Sequence, residues 1–147
     1  MSHDLRLERM FDATPEEVFD AFTDPEAQKE WYQDNEGWVV TAVCDLRPGG
    51  RWDVAFGPAG ADPYRETSVF MEVDRPRRLA YRSTFSTPDG SSFDTELVVT
   101  FEERAGKTLL TIVQTGFPTA KDRDDHQGGW PGFIDRLERV VARRRVS

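Results

Sequence analysis

From Gly128 to Arg145 the apolar side chains fall at Trp130, Phe133, Ile134, Leu137, Val140 and Val141. The spacing is i, i+3, i+4, i+7, i+10 and i+11, which an α-helix gathers into one stripe. Asp135, Arg136, Glu138, Arg139 and Arg143 fill the opposite face. A stripe of this kind needs a surface to cover. Upstream, from about Trp38 to Gly116, apolar and polar residues alternate with the period of two that strands impose. The chain is thereby constrained to an α+β fold: a curved antiparallel sheet around a long C-terminal helix, with room for a pocket between them.

The remaining elements follow in order. Leu5, Leu7 and Phe11 alternate with Arg6 and Glu8 as a first strand. Thr14-Pro15-Glu16-Glu17 has the composition of a helix start, with Thr14 as N-cap, Pro15 in the first turn and Glu17 completing a capping box. The short helix that follows buries Val18, Phe19 and Phe22. Asp24-Pro25-Glu26 repeats the start signal, so a second short helix runs to about Trp31 or Tyr32. Strands are expected at Trp38–Leu46, Arg51–Phe56, Glu66–Val73, Leu79–Ser86, Phe93–Glu103 and Lys107–Thr115. The turns between them include Arg47-Pro48-Gly49-Gly50 and Thr87-Pro88-Asp89-Gly90, and Gly57 to Tyr64 is a loop. Short links between successive strands make an antiparallel meander of about six to seven strands. Pro131, tolerated only in a first turn, places the start or a kink of the terminal helix near Gly128.

Each strand can be divided into faces. Trp52, Val54, Phe56, Val69, Met71, Leu79, Tyr81, Phe85, Leu97, Val99, Phe101, Leu110 and Ile112 form the apolar side. Asp53, Glu72, Arg82, Asp94, Glu96 and Glu102 form the other, which puts the strand charges on one side. Ser83, Thr95 and Gln114 share the apolar face with Tyr81. Buried polar groups must pair, so these four either bond one another or point into a cavity.

At 147 residues the chain has the size of one domain, 1–147. It buries roughly 70% of its unfolded surface, enough for a core without staples. Its net charge of −8 disfavours nucleic-acid binding, which needs a basic footprint. The basic run Arg143-Arg144-Arg145 sits where cations complement a helix dipole, with a membrane or partner contact as the alternative. Cys44 is the single cysteine, which excludes an intrachain disulfide and a cysteine metal site; it reads as a small buried hydrophobe. Met1-Ser2-His3-Asp4 lacks a leader's basic-then-apolar pattern and no apolar run reaches membrane-spanning length, so a cytoplasmic protein is expected.

Little in the sequence points to catalysis. Histidine occurs at His3, a solvated terminus, and at His126, before the terminal helix in Asp124-Asp125-His126-Gln127. That run matches no standard ligand spacing and reads as a solvated helix entry, so no metal is expected. No nucleophile elbow, phosphate loop or dinucleotide fingerprint occurs. Asp34 and Glu36, near Trp31 and Trp38, could edge a pocket mouth, although their loop reads first as solvated. No paired-carboxylate site is visible. Binding therefore ranks above catalysis, and neither a catalytic residue nor a cofactor is assigned.

Four stretches, in this order, resemble a known family: Phe11-Asp12-Ala13-Thr14-Pro15-Glu16-Glu17-Val18-Phe19 with Thr23-Asp24-Pro25-Glu26 and Trp31; Pro48-Gly49-Gly50-Arg51-Trp52; Pro76-Arg77-Arg78-Leu79; and Thr108-Leu109-Leu110-Thr111 with Gly116-Phe117, Gly129-Trp130 and Leu137. The set is similar to the START-like (SRPBCC) superfamily and, within it, to the family named after activators of the heat-shock protein 90 ATPase. The resemblance implies the helix-grip fold, with a pocket between sheet and helix, and a homodimer. The eponymous co-chaperone carries such a domain beside another, so the name is not itself an activity. Wider relatives include lipid carriers, hormone receptors and polyketide cyclases, which share a cavity and no catalytic constellation.

The function expected is binding of a small apolar or aromatic molecule between the sheet and the terminal helix. Its walls would be Trp52, Phe56, Tyr81, Phe85, Leu97, Gln114, Trp130, Phe133 and Leu137, with Gln114 and Tyr81 orienting a polar group. The alternatives are a cyclase- or hydrolase-like enzyme using Tyr81 as an acid, and a co-chaperone-like interaction module, which would need an exposed apolar patch.

Overall fold

The computed structural model describes residues 3–146, so Met1 and Ser2, on which the expectation about a leader partly rests, lie outside the described residues. The chain runs β1 (His3–Phe11), α1 (Pro15–Thr23), α2 (Pro25–Trp31), β2 (Trp38–Cys44), β3 (Arg51–Pro58), β4 (Tyr64–Asp74), β5 (Arg78–Ser86), β6 (Ser92–Arg104), β7 (Lys107–Phe117) and α3 (Ala120–Val146). The seven strands form one antiparallel sheet in the order β1-β7-β6-β5-β4-β3-β2. Six successive strands make the expected meander, and β1 joins it by pairing with β7. Together with the long terminal helix this is the helix-grip fold.

Local chemistry explains the short helices. Glu17 N–H donates to Thr14 Oγ1 at 3.3 Å while Thr14 N–H donates to Glu17 Oε1 at 3.0 Å, a complete capping box. Asp24 closes α1 and caps α2, its carboxylate accepting from Glu26 N–H at 3.0 Å. At the β2–β3 turn Gly49 takes φ +80°, and a Cβ on Gly50 would lie 2.0 Å from the Asp45 carbonyl oxygen. The paired glycines are therefore steric requirements of the hairpin.

Two features differ from expectation in ways that bear on function. The terminal helix begins at Ala120, eight residues before Gly128, and passes through Pro131. Thr119 supplies the start signal: Asp122 N–H donates to its Oγ1, and that hydroxyl donates back to the Asp122 carboxylate. His126 consequently lies inside the helix rather than in a solvated entry.

The second correction concerns β4. Phe70 is 1% exposed and Ser68 3%, whereas Val69 and Met71 are 43% and 46% exposed, the reverse of the expected faces. A β-bulge is the cause. Phe70 pairs with Tyr81 and Glu72 with Ala80, leaving Met71 as an extra residue. Beyond the bulge Val73 points inward opposite Leu79, in the phase the sequence suggested. Before it the phase slips by one, and every side chain changes sides. Glu66, Ser68 and Phe70 therefore share the inner face with Phe85, Ser83 and Tyr81. The charges do not all lie outside, because Glu66 lies within.

Trp130, Ile134, Leu137, Val140 and Val141 of α3 are buried against the sheet and the short helices. The arginine run at its end meets acidic residues of the short helices and their caps: Arg143 pairs with Glu30 at 2.6 Å, Arg144 with Asp24, and Arg145 with Glu17 at 3.0 Å. Singly such exposed pairs are worth little, but these three fasten the last turn of α3 to α1 and α2. On the other side Arg9 of β1 bonds Asp135 at 2.8 Å and also Glu138. Cys44 is half-buried, and burial lifts its thiol pKa to about 11, so it is protonated at neutral pH. Among the described residues no helix is long and apolar enough to cross a membrane.

The inverted half of β4 is directly testable. Phe70→Ala should cost about 3–5 kcal/mol in denaturant unfolding. Val69→Thr should change stability by no more than about 0.5 kcal/mol. Equal losses from the two would restore the simple alternation.

Candidate functional site

The strand register puts one aromatic ring from each of five successive strands at the same end of the sheet. Trp38 lies on β2, Phe56 on β3, Tyr64 on β4, Phe85 on β5 and Phe93 on β6, with Phe56 opposite Tyr64 and Phe85 opposite Phe93. Neighbouring rings touch: Trp38–Tyr64 centroids are 6.0 Å apart, Phe56–Tyr64 5.6 Å, Tyr64–Phe85 6.0 Å and Phe85–Phe93 5.7 Å. Across from this row α3 presents His126, Gly129, Trp130 and Phe133. The space between is a half-open cleft of about 430 Å³. Its mouth includes Asp34, Thr87, Asp122 and Asp125, and Glu66 lies on its sheet wall.

Glu66 is the charged group least expected there. On β4 it stands between Val54 of β3 and Phe85 of β5, so it occupies the interior of the sheet. The Tyr32 hydroxyl donates to its Oε2 at 2.7 Å. Burial raises the Glu66 pKa, and the Tyr32 bond opposes that rise. The same surroundings push the Tyr32 phenol well above its ordinary value, chiefly by burial.

His126 is gripped by three phenyl rings, with centroids 4.7 Å from Phe85, 5.6 Å from Phe93 and 5.1 Å from Phe117. Burial lowers its pKa, against the opposing pull of the Asp122 backbone and the Asp122 and Asp125 carboxylates. It is a largely neutral, ring-packed wall of the cleft. Among the described residues no group of three or more His, Cys, Asp or Glu side chains could hold a metal ion.

Of the nine residues expected to line a pocket, Phe56, Phe85, Trp130 and Phe133 meet around the cleft. Trp52, Tyr81, Leu97, Gln114 and Leu137 lie deeper, in the packed core. Among them the polar groups of Gln114 and Trp52 are occupied by protein partners. Trp130 Nε1 donates to Gln114 Oε1 at 3.0 Å, and Gln114 Nε2 donates to Thr95 Oγ1 at 2.9 Å. Trp52 Nε1 donates to Gln28 Oε1 at 2.9 Å. Tyr81 packs on Trp52 and Phe70, with centroids 5.2 and 6.0 Å away, so the acid named for the enzyme alternative stands apart from the cleft. Among the described residues no buried side-chain N or O lacks a hydrogen-bond partner. The polar face residues thus resolve toward a satisfied core.

Trp38, Tyr64, Glu66, Phe93 and His126 were not assigned to the pocket from sequence. Aromatic residues recurring at corresponding strand ends were the available signal for the rings, but reading it requires the strand register. Glu66 was hidden by the bulge. Of the two mouth candidates, Asp34 lines the cleft and Glu36 does not.

The profile of the family described as Activator of Hsp90 ATPase homolog 1-like protein matches residues 12–142. Among solved structures, a Chromobacterium violaceum protein is 28% identical, with a TM-score of 0.82 covering 94% of this chain and 96% of that one. An AHSA1-like protein from Aeromonas hydrophila is 24% identical, with a TM-score of 0.78 covering 99% and 96%. The AHSA1 protein of Silicibacter pomeroyi is 20% identical, with a TM-score of 0.81 covering 97% and 99%. The last two likenesses concern the fold alone. No curated protein matches the chain.

The pKa shift of Glu66 has a stability consequence with a definite sign. A carboxyl whose folded pKa is raised contributes stability that is full below its unfolded value, near 4.5, and lost as pH rises through the folded value. Burying this carboxyl is then a cost at neutrality. Glu66→Gln, which keeps an acceptor for Tyr32, should raise Tm by a few degrees near neutral pH, with the gain shrinking as pH falls toward 4.5. His126 gives the opposite slope, losing stability as pH drops below 6.5, but it is common to both proteins and leaves their difference unaffected. A Tm that falls in the variant at neutral pH would contradict the burial cost.

Proposed function

The chain belongs to the Activator of Hsp90 ATPase homolog 1-like family, within the START-like superfamily, and on that footing we propose that it binds a small aromatic or apolar molecule in the cleft between the sheet and α3. The observation that carries this is the five-ring row facing Trp130, Phe133 and His126 across about 430 Å³. That volume lies within the usual range for small-molecule sites, and so does a lining of rings with a few polar groups. Rings at 5–6 Å spacing can sandwich a planar ligand with little rearrangement. Trp52, Tyr81, Leu97, Gln114 and Leu137 support the walls from behind.

The family description is not carried over as an activity. A co-chaperone-like module would need a contiguous apolar face. On the outer side of the sheet, exposed Val43 lies opposite Asp53 and exposed Val69 opposite Arg51, and Arg51 and Asp53 bond each other between them. That ion pair separates Val43 from Val69 on this face.

Titration with soluble naphthalene or indole derivatives, followed by amide chemical shifts, tests the binding proposal. Shifts should cluster at Trp38, Tyr64, Phe85 and Phe133, and Phe133→Ala should weaken binding by about ten-fold. Shifts confined to the outer face of the sheet, or an unaffected Phe133→Ala, would argue against it. Homodimerisation is carried into the proposal by the family resemblance, and light scattering checks it. Twice the 16.8 kDa chain mass is expected, and a monomer mass would remove it.

A further inference from the structure

We propose that the cleft selects aromatic or apolar molecules carrying a protonated amine, with Glu66 as counter-ion and the surrounding rings as the cation's other contacts. The inference rests on the binding role proposed above and adds the charge of the ligand.

Every charged side chain lining the cleft is acidic: Asp34, Glu66, Asp122 and Asp125, with no lysine or arginine among the described lining residues. Three of the four already have structural partners. Asp34 is reached by Arg136 at 3.4 Å, Asp125 pairs with Lys121 at 2.8 Å, and Asp122 is tied to the Thr119 cap at 2.9 Å. Glu66 differs. Its bond is with the Tyr32 hydroxyl through Oε2, and among the described residues no basic side chain pairs with it. A carboxylate held in an apolar wall by one phenol is incompletely compensated, because an ionised carboxylate accommodates several donors.

An ammonium group supplies both missing elements, a positive charge and N–H donors. The rings beside Glu66 suit it as well. Tyr64 precedes it by two residues on the same strand face, Phe85 lies opposite it, and Phe56 stacks on Tyr64. Ring faces attract cations, more strongly where water is excluded. His126, held largely neutral by burial, adds no competing positive charge. An anionic ligand of the same shape would bring a second negative group beside the Glu66 carboxyl, and a neutral one would supply it with no counter-charge.

The test uses the full chain and three probes of one shape: 2-(1-naphthyl)ethylamine, 2-(1-naphthyl)ethanol and 1-naphthylacetate, titrated calorimetrically at neutral pH. The amine should bind about ten-fold tighter than the alcohol, with the acetate weakest. In Glu66→Gln the amine should fall to the level of the alcohol, although the same substitution raises Tm. A residue with a merely structural role would not move affinity and stability in opposite directions. Alcohol or acetate binding as tightly as the amine, or an amine preference that survives Glu66→Gln, overturns the counter-ion role while leaving the aromatic cleft standing. Failure of all three probes overturns the cleft reading itself, and this inference with it. Should the variant fail to fold, the three-probe comparison on the wild-type chain still decides the charge preference.

Discussion

The indole N–H of Trp130 must find an acceptor where α3 crosses the sheet, and Gln114 provides it from β7. A buried donor left without a partner costs about 1–3 kcal/mol, so this bond fixes both the rotation of the helix and its position along the sheet. Gln114 in turn donates to Thr95 on β6, which makes the contact part of the sheet rather than of one side chain. The other end of the inner face repeats the device: Trp52 on β3 donates to Gln28 on α2, and Gln28 donates to the Phe22 carbonyl at 3.0 Å. Two indole–glutamine links hold helices at both ends. The cleft is the space left where α3 has passed Gln114 and faces the aromatic strand ends.

Much of this architecture is legible in the sequence because the signals are local. Thr14 and Glu17, or Asp24 and Pro25, define helix starts within four residues. The stripe from Trp130 to Val141 marks the helix face wherever the helix begins. The start is less legible, because Pro131 favours a first turn near Gly128 while the actual cap, Thr119, lies twelve residues upstream of that proline. Proline removes one hydrogen bond, but a helix fastened at both ends tolerates that loss. The arginine run marks the end of the helix in the sequence as in the structure. Its pairing with the acidic residues of α1, α2 and the Asp24 cap depends on tertiary placement and has no sequence signature.

The β4 face shows a different limit. Period-two alternation carries no mark where a bulge inserts a residue, and Val69, Met71 and Val73 in phase make a persuasive apolar face. That apparent face hides Glu66, which changes faces together with Val69. The pocket residues divide along the same line. Phe56, Phe85, Trp130 and Phe133 were accessible from face assignment alone. Trp38, Tyr64 and Phe93 needed the register between strands, and Gln114 drew attention as a polar residue in an apolar face whose actual role is to hold a helix.

The segment of α3 beside the cleft reads Gly128-Gly129-Trp130-Pro131-Gly132. In a helix interior each glycine costs roughly 1 kcal/mol relative to alanine and proline roughly 3. Pro131 also leaves the Gln127 carbonyl without its usual intrahelical donor. The helix is thus anchored by its stripe and arginines toward the C-terminus and by the ring-packed His126 toward the N-terminus, with its weakest backbone between them. Traffic through the mouth of the cleft would pass the weakest backbone of α3, and the core beneath Gln114 need not take part.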